Sequence, residues 1–250
     1  MFVISMAGLS SRFFDAGYKQ PKYTLQAFGE SLFSHAMRSF KNYFDNTPFL
    51  FITLDQFDAV DFVRAEGRSI GIADLEIITL AKPTRGQAET VFLGLQSLDQ
   101  PEQPITIFNI DTAMPNFCQP EFVDKCDGYL DVFIGSGSNW SYAKPASPDS
   151  NRVIETAEKN PISNLCSTGL YYFASSDDFC AAYKQQIDAG SSVLTGSEVY
   201  VAPLYNLLIN SGKDIRYRVV DRNNVIFFGT PTEYESLLTQ PDSCLNREWL

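Results

Sequence analysis

Four short apolar runs, separated by stretches of helical periodicity, constrain this chain more than any other feature. Phe2–Met6, Phe49–Leu54, Leu75–Leu80 and Ile105–Ile110 read as strands. Leu32–Tyr43 with Ser31 as its cap, Phe57–Gly67, and Gln87–Ser97 after Gly86 read as the helices between them. This alternation predicts a parallel, doubly wound α/β sheet over residues 1–110. Ligands of such sheets bind at the C-terminal ends of the strands. Gly8–Arg12, Thr84–Gln87 and Asp111 all follow strand ends, so they are expected to converge on one cleft. Beyond residue 115 the β signals lengthen: Leu130–Ile134, Arg152–Ala157, Thr168–Phe173, Ile215–Val220 and Val225–Phe228. They predict antiparallel additions to the parallel sheet. Ser176–Ala189, Ser197–Ser211 and Thr232–Leu238 read as further helices. With no repeat or linker, residues 1–250 are expected to be one domain. Two halves, about 1–115 and about 116–250, would divide that domain.

Charge narrows the ligands. The chain carries a net charge of −11, which argues against a nucleic-acid partner, because a phosphate backbone needs a basic face. Residues 1–22 run the other way, with Arg12, Lys19 and Lys22 against Asp15 alone, a local balance of +2. A small anionic ligand suits that stretch. No apolar run approaches the ~18 residues of a membrane span. No basic segment followed by an apolar one and a cleavage site opens the chain, so neither a membrane partner nor a signal peptide is expected. The five cysteines, Cys118, Cys126, Cys166, Cys180 and Cys244, are scattered and form no CxxC pair. A disulfide framework or zinc site is therefore not suggested, and a cytoplasmic location is expected.

Ala7-Gly8-Leu9-Ser10-Ser11-Arg12 follows the first strand, and Pro21-Lys22 comes shortly after. Backbone N–H groups in such a loop bind anions. It is neither a Walker loop nor a dinucleotide G-x-G-x-x-G; taken alone it is equally a tight turn with a surface Arg. Pro21 fixes the backbone before Lys22, which strengthens the case for a polyphosphate site. Asp111, at a strand end, is either a magnesium ligand shared with substrate phosphates or a turn residue. Gln87 opens a helix and can read a nucleobase edge by donating and accepting, or it is a polar first-turn residue. Lys159, beside Glu158, can hold a second phosphate or sit in a solvated hairpin. Glu198 is expected to begin a helix, where its charge suits the dipole. His35 is the only histidine and lies inside a predicted amphipathic helix, so a Ser-His or Cys-His nucleophile pair is not expected.

In order, these pieces resemble the sugar-1-phosphate nucleotidyltransferases, also called nucleoside-diphosphate-sugar pyrophosphorylases, over roughly residues 2–238. Met6–Phe13 with Pro21-Lys22 resembles the family's G-x-G-x-R…P-K signature, with Ser10 at the usual second glycine. Gly86-Gln87-Ala88-Glu89 resembles its G-Q-A segment. Asn109-Ile110-Asp111 stands where the family has a metal-binding Asp. Glu158-Lys159-Asn160-Pro161 resembles the E-K-P segment, and Ser167-Thr168-Gly169-Leu170-Tyr171 the T-G-x-Y strand. One position departs. Where the family usually has W-x-D-x-G-T, whose Asp is a second metal ligand, this chain reads Val225-Ile226-Phe227-Phe228-Gly229-Thr230. Phe227 has replaced the Asp, leaving Asp111 with phosphates and water, a substitute acid such as Asp221 or Glu198, or an impaired enzyme.

The resemblance implies a Rossmann-like nucleotidyltransferase fold, with a nucleotide-binding half at about 1–115 and an acceptor-binding half at about 116–250. It implies transfer from an NTP (CTP, UTP or dTTP) to a small phosphorylated acceptor, giving an NDP-linked product and pyrophosphate, with Mg2+ as cofactor. A sugar 1-phosphate is the expected acceptor, in the supply of surface polysaccharide precursors. A cytidylyltransferase acting on phosphocholine or another non-sugar phosphate is the alternative, with aromatics near Tyr171, Tyr172 and Tyr200 as a cage for its cation or as core. A catalytically impaired nucleotide-binding protein is a third reading. By the same resemblance Arg12, Lys22 and Asp111 are catalytic, and Asp111 holds the metal. Ala7, Gly8, Leu9, Ser10, Ser11 and Gln87 bind nucleotide; Glu158, Lys159, Thr168, Gly169 and Glu198 shape the acceptor pocket. The oligomeric state stays open, a homo-oligomer included.

Overall fold

A computed structural model describes residues 1–190 and 198–240. In chain order the elements are β1 (Phe2–Ser5), α1 (Ser11–Asp15), β2 (Gln26–Ala27), β3 (Glu30–Ser31), α2 (Leu32–Arg38), β4 (Phe49–Leu54), α3 (Ala59–Ser69) and β5 (Leu75–Leu80). Then come α4 (Gln87–Gln96), β6 (Ile105–Asn109), β7 (Thr112–Ala113), β8 (Gly128–Ile134), β9 (Ser141–Pro145), β10 (Val153–Glu158) and β11 (Leu165–Phe173). α5 (Ser176–Asp188), α6 (Leu204–Asn210), β12 (Ile215–Val219), β13 (Ile226–Phe227) and α7 (Pro231–Leu238) complete the list. The fold is mixed α/β, with a mainly parallel central sheet that carries antiparallel strands, in line with the expected class.

The described residues form two compact units, neither of them a continuous stretch of chain. One holds Met1–Val3, Thr84–Phe108 and Gln119–Arg222; the other holds Ile4–Pro83, Asn109–Cys118 and residues 223–240. In the first unit β11 is buried along its whole length and pairs antiparallel with β6, β8 and β9, while β12 runs parallel to β8. The Tyr205 hydroxyl, on α6, donates to the carbonyls of Tyr129 and Tyr172 at 2.8 and 2.7 Å, tying that helix to β8 and β11. Asp131, on β8, is fully buried and receives the Arg218 guanidinium from β12. In the second unit β4 and β5 pair in parallel from Phe49↔Leu75 to Leu54↔Leu80. All six residues of β4 are buried, as expected of a strand covered on both faces. Phe33 of α2 meets Phe51 of β4 with ring centroids 5.4 Å apart.

The departures from the sequence-based boundaries have local causes. The helix beginning at Leu32 is capped by Ser31, whose hydroxyl accepts from Ser34 N–H at 3.1 Å. It ends at Arg38 rather than Tyr43, because Phe40 leaves helical geometry (φ −108°, ψ 21°) and buries its ring against Phe117 at 5.2 Å. The expected helix 197–211 is corrected to Leu204–Asn210; Ser197 lies outside the described residues. Val199 cannot be helical because its backbone bonds elsewhere, donating to Arg85 O at 2.7 Å and accepting from Ala88 N at 3.1 Å. Glu198 therefore does not open a helix. Strand β9, which ends in Pro145, has no counterpart among the sequence-based strands. Cys244 also lies outside the described residues.

His35 is buried in α2, with Nε2 2.8 Å from Ala27 O and Nδ1 without a partner among the described residues. Burial holds its pKa below the ordinary 6.5. The unfolded chain therefore binds the proton more readily, and stability is expected to fall as the pH drops below 6.5. Urea unfolding at pH 7.5 and 5.5 should show a smaller acid-induced loss in His35→Gln than in the wild type; equal losses would refute the assignment.

Candidate functional site

The second unit gathers the first cluster. β1 ends at Ser5, and Met6 and Ala7 remain buried. Gly8, Leu9, Ser11 and Arg12 then emerge on the surface. A Cβ at Gly8 would meet nothing within 4 Å, so the loop is open on that side. Arg12 is exposed in α1 and has no ion pair among the described residues. Lys22, in the short 3-10 turn that follows Pro21, places Nζ 2.5 Å from Asp111 Oδ2. The two side chains are only 19% and 25% exposed.

Asp111 is held from a third stretch of chain. Phe228 N–H donates to Asp111 O at 3.0 Å, and β13 pairs antiparallel with β7, Phe227 opposite Thr112. A Cβ at Gly229 would stand 2.8 Å from Asp111 Oδ2, so only glycine lets the carboxylate lie there. Thr230 and Pro231 start α7: the Thr230 hydroxyl accepts from Glu233 N–H while Glu233 accepts from Thr230 N–H, a capping box. The Gly-Thr-Pro run thus has a structural purpose beside Asp111, and Phe227 offers no ligand atom.

Ser10 behaves unlike an ordinary helix cap. It stands at the N-cap of α1 in left-handed geometry (φ 52°, ψ 25°), and its side chain makes no cap hydrogen bond. Its Oγ instead accepts from Lys22 N–H at 3.2 Å. The left-handed backbone explains a glycine at this position, and the bond to Lys22 explains how a serine is tolerated.

The first unit holds the other candidates in two groups. Gln87 is the half-buried first residue of α4. Gly86 before it has φ 134°, and a Cβ there would lie 2.7 Å from Val199 O. Glu89 is pushed up by burial, but hydrogen bonds from Arg85 and Tyr183 bring its carboxyl below the ordinary value. Glu89 therefore clamps the start of the helix.

Around the end of β10, Glu158 accepts from the Ser141 hydroxyl, which in turn accepts from Tyr171 at 3.3 Å. Burial pushes the Glu158 carboxyl up, Ser141 and Lys159 pull it down, and Glu198 pushes it up again; the net direction is upward. Burial drives the Tyr171 phenol to about 12. Lys159 has a left-handed backbone (φ 55°), donates to the Tyr200 hydroxyl at 2.5 Å and lies 3.6 Å from Glu198. Tyr200 also donates to Glu198.

Lys159, Glu158 and Glu198 are thus neighbours of one cluster, to which the structure adds Ser141, hidden from sequence reasoning because β9 went unseen. Thr168 and Gly169 are buried in β11; the Thr168 hydroxyl donates to Asp131 O at 3.3 Å, and Gly169 (φ 91°) sits at a break in register. Of the suggested aromatic cage, Tyr171 and Tyr172 are core, and Tyr172 stacks on Tyr129. The face of Tyr200 is occupied by Lys159, 4.7 Å from the ring centre.

No helix among the described residues is long and apolar enough to cross a membrane. No protein-family model and no curated protein matches the sequence. Among solved structures the chain is similar to the nucleoside-diphosphate-sugar pyrophosphorylase of Vibrio cholerae RC9, with 51% identity, 96% of this chain and 100% of that one covered, and a TM-score of 0.93. The inositol-1-phosphate CTP transferase of T. maritima matches at 13% identity over 99% and 96% of the two chains, TM-score 0.67. A UDP-glucose pyrophosphorylase complexed with UDP-glucose matches at 12% over 95% and 96%, TM-score 0.70. The last two share the fold.

Two glycine positions test the local geometry. Gly86→Ala should lower the urea midpoint clearly, since the new methyl meets a backbone carbonyl in a strained conformation. Ser10→Gly should leave stability within about 1 kcal/mol, because relief of left-handed strain offsets one lost hydrogen bond. A stable Gly86→Ala protein would contradict the first expectation.

Proposed function

The chain belongs to the nucleoside-diphosphate-sugar pyrophosphorylase family, and on that premise we propose how its residues divide the work of the reaction. It is a nucleotidyltransferase that couples an NTP to a sugar phosphate, giving an NDP-sugar and pyrophosphate. The observation that carries this reading is the 51% identity over nearly the whole chain. Its local support is the Lys22–Asp111 pair beside the open Gly8–Arg12 loop.

An acceptor phosphate oxygen attacks the α-phosphorus, a new P–O bond forms, and the bond to the bridging oxygen breaks to release pyrophosphate. A phosphate monoester has a second pKa near ~6, so at neutral pH the nucleophile is already ionised and no side chain need remove a proton. The barrier is the approach of two polyanions, and positioned cations lower it. Arg12 neutralises the leaving β- and γ-phosphates. Lys22 contacts the α-phosphate and the incoming phosphate, exchanging Asp111 for substrate oxygens. The backbone of Ala7, Gly8, Leu9, Ser10 and Ser11 receives the triphosphate, and Gln87 reads the base. Lys159 grips the acceptor phosphate; Glu158 and Glu198 bind its hydroxyls, while Thr168 and Gly169 shape the strand behind them.

Asp111 fits Mg2+ as a single protein oxygen, not as part of an all-protein cage. Among the described residues no group of three His, Cys, Asp or Glu side chains gathers to hold a metal, and Glu198 is engaged by Lys159. Magnesium suits one carboxylate completed by phosphates and water. When bound it would screen the triphosphate charge. A cytoplasmic location and a role in surface polysaccharide synthesis belong to the same proposal. The supply of NTP supports the first, and the product class supports the second.

Pyrophosphate release should be screened with four NTPs against sugar 1-phosphates and phosphocholine. Turnover is expected with a sugar 1-phosphate; turnover with phosphocholine alone would transfer the reading to a cytidylyltransferase. NTP binding without turnover would indicate that Phe227 has cost the enzyme its activity. Arg12→Ala and Lys22→Ala should each lower kcat by at least ~10², and near-normal turnover in both would sink the role assignment.

A further inference from the structure

Beside the phosphate loop stands an aromatic side chain that the roles above leave unused. After β4 the backbone takes two consecutive left-handed residues, Phe57 (φ 57°) and Asp58 (φ 51°). Left-handed geometry is costly for any residue with a side chain and least common for bulky ones. Asp58 stands at the N-cap of α3, yet its side chain makes no cap hydrogen bond. Helix capping therefore does not account for the strained turn.

What the turn achieves is the placement of the Phe57 ring. That residue is 54% exposed, and its ring stacks on Phe14 of α1 with centroids 5.5 Å apart and planes 24° from parallel. Phe14 lies two residues after Arg12 on the same short helix. Phe57 also lines a crevice with Gly8, Ser10, Thr53 and Gln56. A single exposed Phe is common; one raised on a strained turn at the edge of an anion-binding loop needs a reason.

We propose that Phe57 is a nucleobase-stacking residue: its ring packs on the base of the NTP whose triphosphate lies along Gly8–Arg12. The ligand chemistry is a flat heteroaromatic ring joined to a polyanion. Leu9, 49% exposed in the same loop, extends the apolar surface. Stacking on an aromatic face tolerates every base, so Phe57 contributes affinity, and hydrogen bonds elsewhere choose the base. This inference rests on the nucleotidyltransferase reading.

Calorimetry separates the two. UTP, CTP and tripolyphosphate, which has no base, are titrated into wild type, Phe57→Ala, Phe57→Gly and Phe57→Trp. Both truncations should bind the nucleotides about tenfold more weakly and tripolyphosphate within twofold of wild type, while Phe57→Trp restores nucleotide affinity. Phe57→Gly adopts the left-handed backbone freely, so a loss shared with Phe57→Ala reports the missing ring and not a disturbed turn. Unchanged nucleotide affinity in the truncations, or an equal loss for tripolyphosphate, overturns the stacking role with the functional reading intact. A wild type that binds neither nucleotide nor tripolyphosphate overturns the functional reading, and the stacking role with it.

Discussion

The ion pair between Lys22 and Asp111, 2.5 Å long, joins parts of the second unit that are 89 residues apart. Removing one member of a largely buried pair leaves a charge without a partner, which costs far more than the pair itself contributes. The surroundings are built to the pair. Pro21 sets the entry of the Lys22 turn, Ser10 accepts its amide, and Gly229 leaves room for the carboxylate. Lys22 thus rests with its charge paired to a carboxylate.

The first unit follows the same logic with different residues. Lys159 leans on the Tyr200 ring and pairs with Glu198, while Glu158 is steadied by Ser141 and Tyr171. In both clusters a lysine is paired with a carboxylate. The lone histidine is buried in α2, with its Nε2 at the Ala27 carbonyl.

Much of the fold was legible because strand and helix periods are local. Phe49–Leu54 and Leu75–Leu80 fall where the apolar runs place them, and α4 opens at Gln87 after Gly86. Failures occurred where distant contacts overrode local pattern: the burial of Phe40 that ends α2, and the pairing of Val199 with residues 85 and 88 that denies Glu198 a helix. In the site, Lys22 and Asp111 were legible as separate residues through the spacing of their motifs, whereas Ser141 carried no signal.

By itself the sequence determined the class of fold and the family, since these depend on residue identity and short-range spacing. The tertiary structure alone decided which groups meet: Lys22 with Asp111, Ser10 with the Lys22 amide, Lys159 with Tyr200 and Glu198. It alone decided that Ser10 and Phe57 take left-handed backbones. Such facts follow from chain crossings and backbone angles that the sum of many weak contacts selects, and no local pattern of residues records them.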